Sequence, residues 1–280
     1  MILSKRISLK ILEYLLSQLE KLNLFPVIGI ELEFYLLPLD IHQHDKIWKA
    51  PNLELNFPLE LEKGDNQFEF KLEYNQNIVD QLTKIEEMKQ SLINKAKIEK
   101  VEVSFSAKPF AQQPGSALHI HLHLENNLGE NLYIKQTDQE TSLMLESIAG
   151  LCSTLKENML LFAPTKESYL RYRVDHITTP SKICWGGNNR SAAIRIPLAE
   201  KENRRLEHRV AAANSEPLEV MIAILYGILK GVREKLTPPE KIHGNAFLEQ
   251  YEYPYITRDY ETAQQDFYNS GLFQIIKSIT

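Results

Sequence analysis

The chain has 280 residues, of which 43% are hydrophobic and 25% are charged, a balance typical of a globular protein with a sizeable core. Its formal net charge of −5 argues against nucleic-acid binding, and no apolar run in the sequence is long enough to span a membrane. Cys152 and Cys184 lie far apart in sequence and predict no disulfide framework, so we expect a reduced, cytoplasmic location.

The first half of the chain shows the periodicities of two helices and several strands. Alternation of apolar and polar residues marks the strands, and a wider apolar spacing marks the helices. The predicted elements are a helix at 7–22, a strand at 27–38, a loop at 40–58, a strand at 66–74, a helix at 78–97, and strands at 100–110 and 117–125.

The second half predicts a helix at 138–162, an irregular stretch at 163–190, strands at 191–197 and 204–210, and a mostly apolar helix at 217–236. Strands come in adjacent pairs with helices between them. The order therefore predicts an α+β fold with a largely antiparallel sheet, and we interpret residues 1–280 as a single domain.

Three histidines alternate with apolar residues in the strand "ALHIHLHLE". His119, His121 and His123 would therefore share one face of that strand. Three explanations remain open from the strand alone. The imidazoles could face water, they could bind zinc together, or one of them could join carboxylates that hold a harder metal ion.

Carboxylates recur on polar strand faces elsewhere in the chain. Glu31 and Glu33 share a face in "IELEF", Glu62 and Glu69 stand in "EKGDNQFEF", and Glu207 stands in "RRLEHRV". Neighbouring carboxylates repel each other unless a cation or a proton lies between them. Together with a histidine, they indicate a site for two hard divalent ions, Mg²⁺ or Mn²⁺.

The arginines are concentrated in one part of the chain. Seven of the ten lie between positions 171 and 209, namely Arg171, Arg173, Arg190, Arg195, Arg204, Arg205 and Arg209. Arginine offers a planar fork to carboxylate and phosphate oxygens, so arginines beside acidic metal ligands indicate phosphoryl transfer. The plainer explanation is an arginine-rich surface whose side chains pair with nearby acidic residues. The sequence has neither a P-loop motif nor a kinase-type glycine-rich loop.

These residues stand in segments that resemble the catalytic domain of the glutamine synthetase family of glutamate–amine ligases. The segment "GGNNRSAAIRIP" is similar to that family's N-R-S-A-x-I-R-I-P motif. The other similar segments, in the family's order and spacing from about residue 7 to residue 275, are "GIELEF", "EKGDNQFEF", "KPFAQQPGSALHIHLHL", "SYLRY" and "RRLEHRV".

The resemblance implies a curved, largely antiparallel half-barrel sheet with flanking helices. It also implies that ATP phosphorylates the γ-carboxylate of glutamate and that ammonia or an amine displaces the phosphate. One metal ion would be held by Glu33, Glu62 and Glu69, and the other by Glu31, His119 and Glu207. ATP would contact His121, Lys108, Arg195 and Arg205. Glutamate would contact Arg171, Arg190, Arg209 and Gly115, with Arg171 and Arg190 also acting in catalysis.

Four departures from the family pattern bear on this activity. The family's N-terminal β-grasp domain, which closes the neighbouring subunit's site, is expected to be absent, as is its C-terminal segment. Thr178 stands where the family has a flap glutamate, and threonine cannot accept a proton as a carboxylate does. Pro114 replaces an asparagine that contributes to glutamate binding. Asn66 stands where the family's segment usually has glycine, and no role is assigned to His123, where the family usually has serine.

Three hypotheses follow. The chain is an ATP-dependent γ-glutamyl ligase, which could use an amine other than ammonia and could act as a homo-oligomer or with a separately encoded N-terminal partner. Alternatively, it is a non-catalytic relative that binds nucleotide, metal or a partner subunit. The retained metal ligands and arginines favour metal and nucleotide binding. A cupin-like zinc protein, with zinc on His119, His121 and His123, explains the histidines but not the arginines.

Overall fold

The structure is a computed structural model that describes residues 2–39, 50–135, 139–173 and 179–279. Its central element is an open sheet. The strands found in the described residues are β1 Phe25–Pro38, β2 Glu60–Leu61, β3 Gln67–Asn75, β4 Val101–Ser104, β5 Leu118–Glu125, β6 Trp185–Gly186, β7 Ile194–Arg195 and β8 Leu206–His208. They follow the order β2-β3-β1-β5-β8-β7-β6, and β4 pairs with β1. Every pairing is antiparallel except that of β6 with β7.

Helices flank this sheet, which confirms the predicted α+β class. They are α1 Lys5–Glu20, α2 Ile78–Ile98, α3 Ser142–Thr154, α4 Met159–Phe162, α5 Pro217–Glu234, α6 Tyr260–Tyr268 and α7 Gly271–Ile279, with 3₁₀ helices at Lys166–Tyr172 and Lys201–Asn203. Helix α1 begins at the N-cap Ser4, whose side chain accepts a hydrogen bond from the amide of Ile7. Within the described ranges, no helix is both long and apolar enough to cross a membrane.

Two predicted elements are shorter or more divided than their periodicity suggested. The strand predicted at 100–110 ends at Ser104, whose hydroxyl accepts a hydrogen bond from the Ser106 amide at 3.3 Å, a local contact that competes with the ladder. The helix predicted at 138–162 is interrupted after Thr154 and resumes at Met159. There the Thr154 hydroxyl bonds back to the Gly150 carbonyl at 2.9 Å, a contact that competes with regular helix geometry.

The main core lies between the apolar face of the sheet and helices α1, α3 and α5. Ile30, Leu32 and Phe34 of β1 are at most 1% exposed on that face. Helix α5 is buried on nearly all sides because it packs against both α1 and α3, which explains why its sequence is almost continuously apolar.

Helices α3 and α5 approach each other most closely through glycines. A Cβ built on Gly150 would lie 2.0 Å from the carbonyl oxygen of Gly227 and 2.7 Å from the Cα of Gly231. Both contacts are with backbone, which cannot move aside as a flexible side chain can. The spacing of the two helices beneath the sheet therefore depends on the absence of side chains at this crossing.

We expect Gly150→Ala to lower the free energy of unfolding by about 1–3 kcal/mol, the usual range for overpacking a close contact. Alanine is intrinsically favoured over glycine in helices by about 1 kcal/mol, so a loss of stability can be attributed to the close contact between α3 and α5. Urea unfolding measures the change in the free energy of unfolding. The control is Gly187→Ala, where the nearest atom to an added Cβ is 3.8 Å away. An unchanged or raised stability of Gly150→Ala would contradict the prediction.

Candidate active site

The pairing of β1 with β3 and β5 gathers acidic and imidazole side chains on one face of the sheet. Glu31 lies opposite His119 of β5, and Glu33 lies opposite Glu69 of β3. Residues that pair directly across neighbouring strands point to the same face. The alternate residues of β1 point to the core, so the alternation that builds the core also aligns the polar row.

Strands β8 and β7 extend the polar row. Glu207 is paired with His121 on one side and with Arg195 on the other. Arg195 Nη1 donates to Glu207 Oε2 at 2.6 Å, and Arg209 Nη1 donates to Glu207 Oε1. Burial opposes the ionisation of Glu207, but Arg209 and the other nearby positive groups lower its pKa to about 2. Glu207 is therefore ionised at neutral pH although it is only 1% exposed.

These side chains line a cavity of about 320 Å³. Most of the predicted site residues are brought together in its wall. They are Glu31, Glu33, Glu62, Glu69, Gly115, His119, His121, Arg190, Arg195, Arg205, Glu207 and Arg209. Residues more than 170 positions apart in sequence thus meet at a single polar cavity, as the ligand and arginine patterns predict.

Arg171 and Lys108 lie outside the lining of this cavity. Arg171 is 2% exposed, its Nη1 donates to the Val210 carbonyl at 2.7 Å, and a Cβ on Gly115 would lie 2.8 Å from its Cγ. It thus packs against the cavity wall at Gly115. Lys108 Nζ donates to the Gln113 carbonyl. Each side chain keeps further N–H donors in this position, and the Nε atom of Arg171 is buried with no hydrogen-bond partner within the described residues.

Glu33, Glu62 and Glu69 form a first carboxylate group, in which one oxygen of each lies within 4.8 Å of the others. Burial raises the pKa of Glu33 to about 8. Burial, together with the charge of Glu31, raises the pKa of Glu69 to about 7. The full negative charge of this group therefore develops at neutral pH only if a cation neutralises it. A cluster of carboxylate oxygens suits Mg²⁺ or Mn²⁺.

Glu31, His121 and Glu207 form a second group with ligand atoms within 4.8 Å of one another. Burial opposes the ionisation of Glu31, but its contacts with His119 and His121 hold its pKa well below the usual range. The sequence assigned His119 to this group. In the structure, His119 Nδ1 lies 3.6 Å from Glu31 Oε2 and 3.7 Å from Glu207 Oε1, so both imidazoles reach the same carboxylates.

His119 also lies 3.8 Å from Glu33 Oε1, which places it between the two groups. Burial lowers its pKa to about 4, so it is neutral at pH 7, and a neutral imidazole is the form that binds metal. The Nε2 atom of His119 is buried and has no hydrogen-bond partner within the described residues, whereas the Nε2 atom of His121 lies 3.2 Å from Glu31 Oε1. Buried polar atoms normally have a partner, so the Nε2 atom of His119 fits a site that receives a ligand or metal ion.

His123 belongs to neither group. Its Nε2 lies 3.0 Å from Glu125 Oε1, at the edge of the row. No combination of three imidazoles within ligand distance occurs among the described residues. The observed groups are dominated by carboxylates, which disfavours the zinc hypothesis based on the three histidines.

Two arginines of the cavity wall differ in the contacts that their side chains make. Arg205 Nε donates to His121 Nδ1 at 3.2 Å, and its guanidinium lies 5.4 Å from the centre of the Tyr74 ring. Arg190 is exposed at the wall and makes no salt bridge within the part of the chain that the structure describes. Arg190 is therefore placed to bind an anionic group that enters the cavity.

Two positions where the sequence departs from the family pattern have clear local structures. Asn66, which stands where glycine is usual, has φ of 58° and so occupies the left-handed region that asparagine tolerates. It forms the turn that leads into β3. Pro114 offers its carbonyl to the Tyr35 hydroxyl at 2.8 Å. Thr178, the third such position, lies outside the described residues.

The sequence reasoning missed Lys71. Its Nζ lies 2.8 Å from Glu69 Oε1 and 2.6 Å from Glu60 Oε2, within the cavity wall. The signal was available, since the alternation in "QFEFKLE" puts Lys71 on the same face as Glu69.

Comparisons with known proteins agree with this geometry. A family model described as the catalytic domain of glutamine synthetase matches residues 55–274. A gamma-glutamylputrescine synthetase of Escherichia coli (strain K12) is 32% identical over 283 residues, covering 89% of this chain and 60% of that protein. A glutamine synthetase of Methanocaldococcus jannaschii is 27% identical, covering 84% of this chain and 58% of that protein. The chain thus spans about 60% of the length of these relatives.

The fold is similar to that of a solved structure described as apo GmaS without ligand, with a TM-score of 0.80 and 20% sequence identity. That similarity covers 96% of this chain and 69% of the other, and at this identity it shows the fold alone. The family model covers most of the sequence, and the 32% identical relative covers 89% of it. On these findings, the chain belongs to the family of glutamine synthetase catalytic domains.

Proposed function

We propose that this chain acts in an ATP-dependent glutamate–amine ligase. In this reaction the γ-carboxylate of glutamate takes the γ-phosphoryl group of ATP and releases ADP. Ammonia or an amine then attacks the γ-glutamyl phosphate, the new C–N bond forms, and phosphate and a proton leave. The observation that carries the proposal is the meeting of two carboxylate-rich groups and several arginines in one cavity.

Two divalent ions, Mg²⁺ or Mn²⁺, fit the groups of ligands in the cavity. We assign one to Glu33, Glu62 and Glu69, and the other to Glu31 and Glu207 with imidazole from His119, His121 or both. When bound, such ions supply charge neutralisation for phosphate oxygens. The buried Nε2 atom of His119, which has no partner within the described residues, and the raised pKa values of Glu33 and Glu69 support these assignments.

The arginines would orient the two anionic substrates. We assign Arg195 and Arg205, with His121 and Lys108, to the phosphates of ATP, because a guanidinium fork matches phosphate oxygens. Arg190 and Arg209, with Gly115 and Arg171, are assigned to glutamate and to the transferred phosphoryl group. The exposed position of Arg190 in the cavity wall supports its role in binding an incoming anion.

The acceptor nitrogen distinguishes two forms of the proposal. The relatives include a gamma-glutamylputrescine synthetase, whose name specifies putrescine as the amine that carries the glutamyl group, and glutamine synthetases. Thr178 at the position of the family's flap glutamate favours an amine other than ammonia. Cytoplasmic location, a single-domain organisation, homo-oligomerisation and a separately encoded N-terminal partner stay predictions.

Nucleotide binding is expected to depend on metal. Calorimetric titration with a non-hydrolysable ATP analogue should give binding in the presence of Mn²⁺ and little without it. Glu207→Gln should weaken binding more than about tenfold, because changes in even the outer shell of a metal site cost about 10–100-fold. The matched control is Glu202→Gln, since Glu202 is exposed on the nearby 3₁₀ helix and should leave binding unchanged.

Binding that is independent of metal and insensitive to Glu207→Gln would contradict the assignment of the site. Phosphate release should then be measured with glutamate and ammonia, methylamine or putrescine. Release with one of these acceptors supports the ligase. Metal-dependent nucleotide binding without release for any acceptor favours the non-catalytic alternative for this chain.

The affinity for Mn²⁺ should rise with pH between about 6 and 8. Glu33 and Glu69, with pKa values of about 8 and 7, hold protons that a metal ion must displace. Each displaced proton makes the affinity increase up to about tenfold per pH unit, and the increase ends above the higher pKa. Calorimetry in buffers of different ionisation enthalpy counts the released protons. An affinity that stays constant from pH 6 to pH 8, without proton release, would contradict the prediction.

A further inference from the structure

Lys71 contacts carboxylates of both proposed metal groups. Its Nζ lies 2.8 Å from Glu69 Oε1 and 3.8 Å from Glu31 Oε1. The contact with Glu31 follows from the fold, since Glu31 and Lys71 are direct cross-strand neighbours in β1 and β3. A third carboxylate, that of Glu60, lies 2.6 Å from the same nitrogen but belongs to neither group.

An ammonium in this position opposes a divalent cation in two ways. It donates a hydrogen bond to Glu69 Oε1, which competes with metal ligation by this carboxylate, and its charge repels a cation a few ångströms away. Lysine is ordinarily charged at neutral pH, and the contacts of this ammonium with Glu60 and Glu69 favour the charged form. The side chain of Lys71 is also 37% exposed, which gives the amine a route away from the ligands.

We propose that Lys71 is a tethered cation that competes with divalent metal for Glu31 and Glu69 and thereby sets the metal affinity of the cavity. Metal binding breaks the contact of its amine with Glu69 and leaves the amine on Glu60, whose side chain is 55% exposed. This inference rests on the proposed metal-dependent function. It differs from a purely structural ion pair, which would leave metal affinity unchanged when Lys71 is neutralised.

Mn²⁺ titration calorimetry, without nucleotide or substrate, tests the competition. Lys71→Met keeps the length of the side chain and removes its charge, so it should tighten Mn²⁺ binding by about tenfold, in line with a unit charge a few ångströms away in partly exposed surroundings. Lys71→Arg keeps the charge and should stay near the wild-type affinity. The matched control is Lys63→Met, which removes an equal charge from an exposed position on the same cavity.

A double-mutant cycle tests the role of Glu60 separately. Glu60→Gln should weaken Mn²⁺ binding several-fold in the wild-type background, because the displaced amine loses its acceptor. In the Lys71→Met background, the same change should have little effect. Equal effects in both backgrounds would show that Glu60 acts only through its own charge and would overturn its assigned role.

The outcomes separate this inference from the proposed function. If wild type and Lys71→Met bind Mn²⁺ with equal affinity, the competition is overturned while the metal site stands. If Lys63→Met tightens binding as much as Lys71→Met, a general charge effect replaces the competition. If neither wild type nor Lys71→Met binds Mn²⁺, the metal site and the competition are both overturned. Unchanged thermal unfolding of Lys71→Met and Lys71→Arg shows that the variants are folded.

Discussion

The register of β1 against β3 and β5 is the constraint on which the rest of the site depends. Glu31 and Glu33 meet His119 and Glu69 only in this register, and the intervening residues of β1 fill the core. A slip by one residue would turn the carboxylates into the core and the apolar side chains into the cavity. Core packing therefore fixes the register, and the register in turn holds the acidic side chains close together despite their repulsion.

The charges on the polar face are balanced in two different ways. Glu207 is neutralised by protein side chains, since Arg195 and Arg209 donate to its two oxygens. Glu33 has no ion pair with a lysine or arginine among the described residues; the Ala117 amide donates to it at 2.8 Å, and its pKa is raised. The arginine cluster is thus also a structural device, because without it a buried Glu207 would be costly to ionise.

Much of this arrangement could be predicted from the sequence because strand alternation fixes the face of each residue without knowledge of the fold. It placed Glu31, Glu33 and Glu69 correctly on a polar face. It could not decide between His119 and His121, since that choice depends on distances across three strands. Nor could it show that Arg171 packs against Gly115 and bonds to backbone, because residues in helices and loops do not alternate between two faces as strand residues do. Neither did the periodicity of 138–162 reveal the break after Thr154.

The two ligand groups also differ in what a cation must displace. At Glu33 and Glu69, protons compete with the cation, and this part of the cost of binding depends on pH and vanishes once both carboxyls are ionised. At Glu207, the carboxyl is already ionised, and the competing partners are guanidinium groups, whose charge does not change with pH near neutrality. The first group therefore responds to proton concentration, whereas the second responds to anything that draws the arginines away. A phosphate-bearing substrate would do so, because it offers Arg195 and Arg209 an alternative anion and releases carboxylate oxygens to a metal ion.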